Sequence, residues 1–200
     1  MIDVEVIDDP ATATVALEPV RSRLLSELNE PASAAALAAR LGLARQKVNY
    51  HLRALETRGL VKVADKRQWG GLTERLLVAS AASYVVSPGA LGPVAADPGR
   101  TADHLSAGYL IALAGRVIRE VGGLLRRSRE LDKRLPTLSL DTEIRFRSAA
   151  ERAAFSDELV HAVKTLAVRY HDASAPGGRS HRLVVVAHPL PHVPPTEEPA

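Results

Sequence analysis

Between residues 16 and 60, apolar positions return at helical spacing. Val20, Leu24, Leu25 and Leu28 form a stripe that predicts a helix over roughly 16–29, with Pro19 near its first turn, where proline is tolerated. Ser33 is a good N-cap for a second helix. Leu37 and Leu41 lie one turn apart on its inner face, and Gly42 stops it. Val48, Leu52 and Leu55 predict a third helix from near Ala44 to about Arg58, ended by Gly59. The pattern then changes to alternation. LVKVADK (60–66) and LTERLLVA (72–79) predict two antiparallel strands, joined by the glycine-bearing connection RQWGG (67–71). Tyr84, Val85 and Val86 fit one further short strand. At the N-terminus Ile2, Val4 and Val6 alternate, which suits an edge strand within the chain or across a dimer; a frayed arm over 1–14 is the other reading.

The second half has a different rhythm. Glycines and prolines over 89–100 predict a linker, with the domain boundary near 87–100. Residues 101–131 predict the longest helix, capped by Thr101 or Asp103. Leu110, Val117, Leu124 and Leu131 recur every seven residues, with Val121 between them, as in a seam for another helix. Gly108, Gly115 and Gly122 share that period, which predicts close helix–helix approach. Arg126, Arg127, Arg129, Lys133 and Arg134 crowd the helix end, where positive charge suits the helix dipole and solvation is expected. LSLDTEIRFR (138–147) alternates as a half-buried strand, with Leu138, Leu140, Ile144 and Phe146 inward. A helix is expected over 148–170, with Phe155, Leu159, Val163 and Leu166 as its core, and RLVVVAH (182–188) reads as a central strand. Residues 191–200 form a proline-rich tail. The expected fold is α+β: a winged helix-turn-helix over 15–88, then a long helix and a small α+β domain over 101–190.

The third helix is where chemistry enters. Opposite its apolar stripe stand Gln46, Tyr50 and Arg53, flanked by Lys47 and Asn49. Such side chains can hydrogen-bond to base edges in a major groove. Charge supports the same place. Residues 40–75 carry nine Lys or Arg against three acids, while residues 1–30 carry two against seven. A basic patch confined to one segment is the footprint of nucleic-acid binding. Arginine outnumbers lysine 21 to 5, a ratio that suits bidentate contacts but also follows from a GC-rich genome.

The runs LGLARQKVNYHLRALETRGLV (41–61) and GGLTERLLVASAASYVVSP (70–88) together resemble the ArsR-type bacterial transcriptional regulators, over roughly residues 15–90. The resemblance implies a winged helix-turn-helix repressor that binds double-stranded DNA as a homodimer. It implies base contacts from Arg45, Gln46, Lys47, Asn49 and Tyr50, a phosphate near His51, and a wing reaching an adjacent groove through Lys66 and Arg67. Two departures stand out. Ala44 occupies the recognition-helix N-cap, where that family often has Ser or Thr. The founding members sense metals through cysteines, and this chain has none.

The rest narrows the function. No apolar run nears the ~20 residues of a membrane span, and MIDVEVIDDP is acidic, unlike a signal peptide's start; a cytoplasmic protein is expected. Without cysteine there is no disulfide or thiol chemistry. No nucleophile elbow, P-loop or HExxH occurs, so no catalytic residue and no cofactor is expected. His171, His181, His188 and His192 lack the spacing of a preformed chelate, and no metal is expected. Glu18 and Glu27 read as solvated, and Trp69 as packing the wing onto its own domain. The expected dimer interface is Leu110, Gly115, Val117, Val121 and Leu124, with a small organic effector as the class of regulatory ligand. Two other readings share these elements: a winged-helix protein-interaction module, and a winged helix fused to an enzyme over 101–190. Salt-dependent DNA binding separates the first, and a catalytic constellation would mark the second.

Overall fold

The computed structural model describes residues 2–69 and 72–191, without the side chains of Trp69 and Leu72. The packing read for Trp69, the tip of the wing and His192 lie outside the described residues. Proline decides where the first helices begin. Helix α1 spans Pro10–Leu17 and α2 spans Pro19–Glu27. Each starts on a proline, whose missing N–H is one the first turn leaves unpaired anyway. The residue before each is extended, as the proline ring demands, and caps its helix. Asp9 accepts from the Thr12 N–H at 2.8 Å, and Glu18 from the Arg21 N–H at 3.0 Å. The single helix expected over 16–29 is therefore two, and residues 10–14, expected to be extended, are helical.

A two-residue strand β2 (Ala32–Ser33) leads into α3 (Ala34–Leu41) and α4 (Arg45–Thr57). Strands β3 (Val61–Trp69) and β4 (Leu72–Ala79) pair antiparallel, with Val61 opposite Ala79 and Arg67 opposite Glu74. The register shifts between Val63 and Asp65. β2 joins the other edge of β4, giving the order β2-β4-β3. Strand β5 (Ala81–Val86) runs parallel to β1 (Ile2–Ile7) of the same chain, with Val4 opposite Ser83 and Val6 opposite Val85. The N-terminal arm is thus an edge strand within the chain. Leu24, Leu28, Leu37, Val48, Leu55 and Val61 are the most deeply buried large side chains. Each contributes about 1.5–3 kcal/mol by leaving water. The three helical stripes legible in the sequence meet in this one core.

Helix α5 (Ala107–Glu130) starts later than expected. Ser106, rather than Thr101 or Asp103, accepts from the Tyr109 N–H at 3.1 Å, because turns occupy the residues before it. Its buried face is Ala112, Gly115 and Gly122. A Cβ on Gly115 would meet Pro88 at 3.2 Å, and one on Gly122 would meet Val6 at 2.8 Å. Two of the three glycines do permit close approach, but to a loop and a strand of the same chain, not to another helix. Gly108 has only Ser106 near it, at 3.8 Å.

The basic end of α5 is not simply solvated. Arg126 donates to the Val6 carbonyl at 2.8 Å and pairs with Asp8 at 2.7 Å. Arg129 donates to the Val4 carbonyl at 2.7 Å and pairs with Glu5 at 2.8 Å. Two forked guanidinium groups thereby fasten α5 to β1. Gly122→Leu is expected to force these elements apart and to destabilise the protein by about 1–3 kcal/mol, the usual cost of overfilling a packed contact. A lower urea midpoint at unchanged slope is the measurement.

The chain divides into two compact units, Met1–Leu135 and Pro136–Ala200. The boundary expected at 87–100 falls after α5 instead, because the glycine face of that helix packs on β1 and on the loop at Pro88. In the second unit α6 spans Ala149–Tyr170, and its N-cap Ser148 accepts from the Glu151 N–H at 3.1 Å. Phe155, Leu159 and Val163 are half-buried along it, and the Phe146 and Phe155 rings lie 5.3 Å apart. The two strands expected at 138–147 and 182–188 are not formed among the described residues. Alternation makes a strand only where a ladder partner is at hand, and Leu138 and Leu140 stay 84% and 90% exposed. The chain is α+β as expected, but every described strand lies in the first unit. No helix of the described residues is long and apolar enough to cross a membrane.

Candidate nucleic-acid interface

The turn between α3 and α4 is made by Gly42, whose φ of 65° is left-handed. An L side chain rarely takes that conformation, so glycine is the natural occupant. The Leu43 N–H then closes the helix end on the Ala38 carbonyl at 3.0 Å. Helix α4 follows at once, with Ala44 as N-cap and no side-chain hydrogen bond there.

Helix α4 has two chemically opposite faces. Val48, Leu52 and Leu55 are buried, which fixes its rotation. Arg45, Gln46, Lys47, Asn49, Tyr50 and Arg53 are consequently exposed, Tyr50 by 67%. Five of them, all but Lys47, line one open hollow. Glu56, the one acid toward the far end, is engaged by Arg75 of β4, which ties the wing to the helix. Lys66 and Arg67 stand exposed on β3, opposite Arg75 and Glu74.

His51 is only 7% exposed, on the inner side of α4. Arg21 Nε donates to its Nδ1 at 3.4 Å, and the Tyr50 ring meets it edge-on at 5.3 Å. The Glu18 carboxylate lies 3.6 Å from the same nitrogen and 3.5 Å from Arg21 Nε. Since Nδ1 accepts from Arg21, Glu18 finds its partner in Arg21. Arg21 also donates to the Val15 carbonyl at 3.4 Å. Glu18 is thus not the solvated acid expected. Burial pushes its carboxyl up, but the N–H groups of Arg21 and Val20, aided by the Arg21 charge, outweigh that and hold it below the usual range. Glu27 pairs with Arg40 at 3.5 Å. The Glu18–Arg21–His51 cluster joins α2 to α4 across 30 residues, a separation at which no periodicity could have revealed it.

The candidate dimer residues divide between two faces of α5. At ~100° per residue, Leu110, Val117, Val121 and Leu124 fall together, opposite the buried glycines. Val121 and Leu124 are 40% and 48% exposed, with Leu110 and Val117 half-buried. Gly115 is not part of that seam: it faces Pro88 of its own chain. Among the described residues no three His, Asp or Glu side chains gather where they could hold a metal. His181 and His188 each contact a neighbouring backbone carbonyl, those of Arg179 and Pro189.

Residues 16–64 match a family described as a helix-turn-helix domain. They take in α2, α3, α4 and the start of β3. Among solved structures, the chain is similar to the crystal structure of NolR from Sinorhizobium fredii, at 23% identity and a TM-score of 0.30, over 36% of this chain and 68% of that one. No curated protein matches the chain. The first unit carries a winged helix-turn-helix.

Proposed function

We propose that the chain is a dimeric DNA-binding transcriptional regulator, most simply a repressor, that grips a pseudo-palindromic operator. The observation that carries the reading is the outer face of α4. Six long polar or basic side chains stand free there because the other face is locked into the core. A basic wing edge flanks them, and the segment matched as a helix-turn-helix contains them. The resemblance to ArsR-type regulators points the same way.

The roles divide by chemistry. Gln46 and Asn49 suit bidentate contacts to adenine, and Arg45 and Arg53 suit guanine or phosphate. Lys66 and Arg67 neutralise phosphates. His51, with Arg21 and Glu18, fixes the rotation of α4. Two copies joined along Leu110, Val117, Val121 and Leu124 would set their recognition helices in successive major grooves, about 34–36 Å apart.

Binding to an operator selected from random-sequence DNA is the test. Gln46→Ala and Asn49→Ala should each cost about 1–3 kcal/mol on the selected site and little on unrelated DNA. Lys66→Ala and Arg67→Ala should weaken both and flatten the salt dependence by about one unit of slope each. Intact operator preference in Gln46→Ala and Asn49→Ala would remove α4 from the major groove. Binding that ignores salt in the wild type would favour a protein-interaction module.

A further inference from the structure

The segment 140–147 is built like a strand and has no strand to pair with. Of its even positions Leu140, Ile144 and Phe146 are apolar and Thr142 is uncharged, and its odd positions, Asp141, Glu143, Arg145 and Arg147, are charged. Phe146 turns toward α6, against Phe155. Phe146 is the one residue of the segment that is not exposed. Leu140 is 90% exposed and Ile144 49%. Asp141, Glu143 and Arg145 have no hydrogen bond or ion pair among the described residues. A segment of this length and pattern lacks only a ladder partner.

The order of its charges says which partner fits. Acid, acid, base, base at alternate positions is self-complementary when the segment is turned end to end. With Ile144 opposite its own copy, Glu143 faces Arg145, Asp141 faces Arg147, and Thr142 faces Phe146. Moving the register by two residues either way sets Glu143 against Glu143 or Arg145 against Arg145, and like charges directly opposite destabilise a pair. The segment 182–188 is a poorer partner, because it contains no acid to answer Arg145 and Arg147. Arg147 already pairs with Glu151 at 2.7 Å, so the Glu143–Arg145 contacts select the register.

We propose that residues 140–147 pair antiparallel with the same segment of a second copy of this chain, about a two-fold axis at Ile144. Such a contact is isologous, as a two-fold axis requires. It forms a two-stranded ribbon with an α6 helix from each copy over its apolar face. It lies in the second unit, needs no DNA, and is separate from the seam on α5.

The absence of cysteine makes the test direct. Residues directly opposite in an antiparallel pair sit within the Cα separation a disulfide accepts. Single variants Ile144→Cys, Leu140→Cys and Phe146→Cys are oxidised mildly in the full chain, each also carrying Val117→Glu to remove the α5 seam. Ile144→Cys should form covalent dimers several-fold faster than the other two, although Leu140 is the more exposed site. Glu143→Arg added to Ile144→Cys should abolish the advantage, and Glu143→Arg with Arg145→Glu should restore it. Equal rates at the three positions, or indifference to charge reversal, overturns the pairing. So does failure of Ile144→Cys to link between copies, the result expected if 182–188 takes this strand within one chain. None of these outcomes bears on whether α4 binds DNA.

Discussion

Val117→Glu is expected to leave a folded winged helix that no longer dimerises through α5 and has lost most of its grip on the operator. The loss of affinity should be about 10²–10⁴-fold, the range by which linked binding modules exceed single ones. The reason is the division of labour on α5. One face, at Gly115 and Gly122, is packed against Pro88 and Val6 of its own chain. The opposite face presents Val121, Leu124 and Leu131 at 40%, 48% and 64% exposure, with Leu110 and Val117 half-buried among them. A glutamate at 117 costs the isolated subunit little, because that face is half in water. Between two copies it would bury two unpaired carboxylates, a severe cost. Sedimentation should give a dimer for the wild type and a monomer for the variant, with similar circular dichroism for both. A wild type that is monomeric at micromolar concentration, yet binds its operator tightly, rules the seam out.

Leu55→Ala should act through stability. Leu55 has no exposed surface and lies in the cluster with Leu24, Leu28, Leu37, Val48 and Val61. Deleting such a side chain costs about 2–5 kcal/mol, from lost burial and the cavity left behind. Against a usual total of about 5–15 kcal/mol, that is a large share. Helix α4 is the element on which α2, α3 and β3 all rest, so the first unit should unfold together. Tm should fall by roughly 10 °C. Gln46→Ala, on the opposite face of the same helix, should leave Tm within about 1–2 °C, since solvent-exposed substitutions seldom exceed 0.5 kcal/mol. Equal losses from the two variants would mean that α4 does not sit in the core by the face described.

Much of the first unit is legible along the chain because its signals are local. Val48, Leu52 and Leu55 share a helix face whatever surrounds them, so the exposed row from Arg45 to Arg53 follows from the same spacing. Gly42 marks the turn because only its own backbone decides that. Lys66 falls on a strand because alternation on both sides of RQWGG demands one, whereas Arg67, read as part of that connection, joins β3 because the ladder runs on to Trp69 opposite Leu72. His51 shows where this reasoning stops. Its position on α4 is legible, but its burial against Arg21 and Glu18 depends on where α2 lies. The same holds for Arg126 and Arg129, whose partners Asp8 and Glu5 are more than a hundred residues away. Gly115 and Gly122 announce a close approach without naming the neighbour, and the neighbours are Pro88 and Val6. In the second unit the alternation of 138–147 is as clear as any in the chain, yet no strand forms among the described residues. A helix satisfies its backbone from within its own segment, so its sequence suffices to specify it. A strand must borrow its hydrogen bonds from another segment, and only tertiary or quaternary structure supplies one.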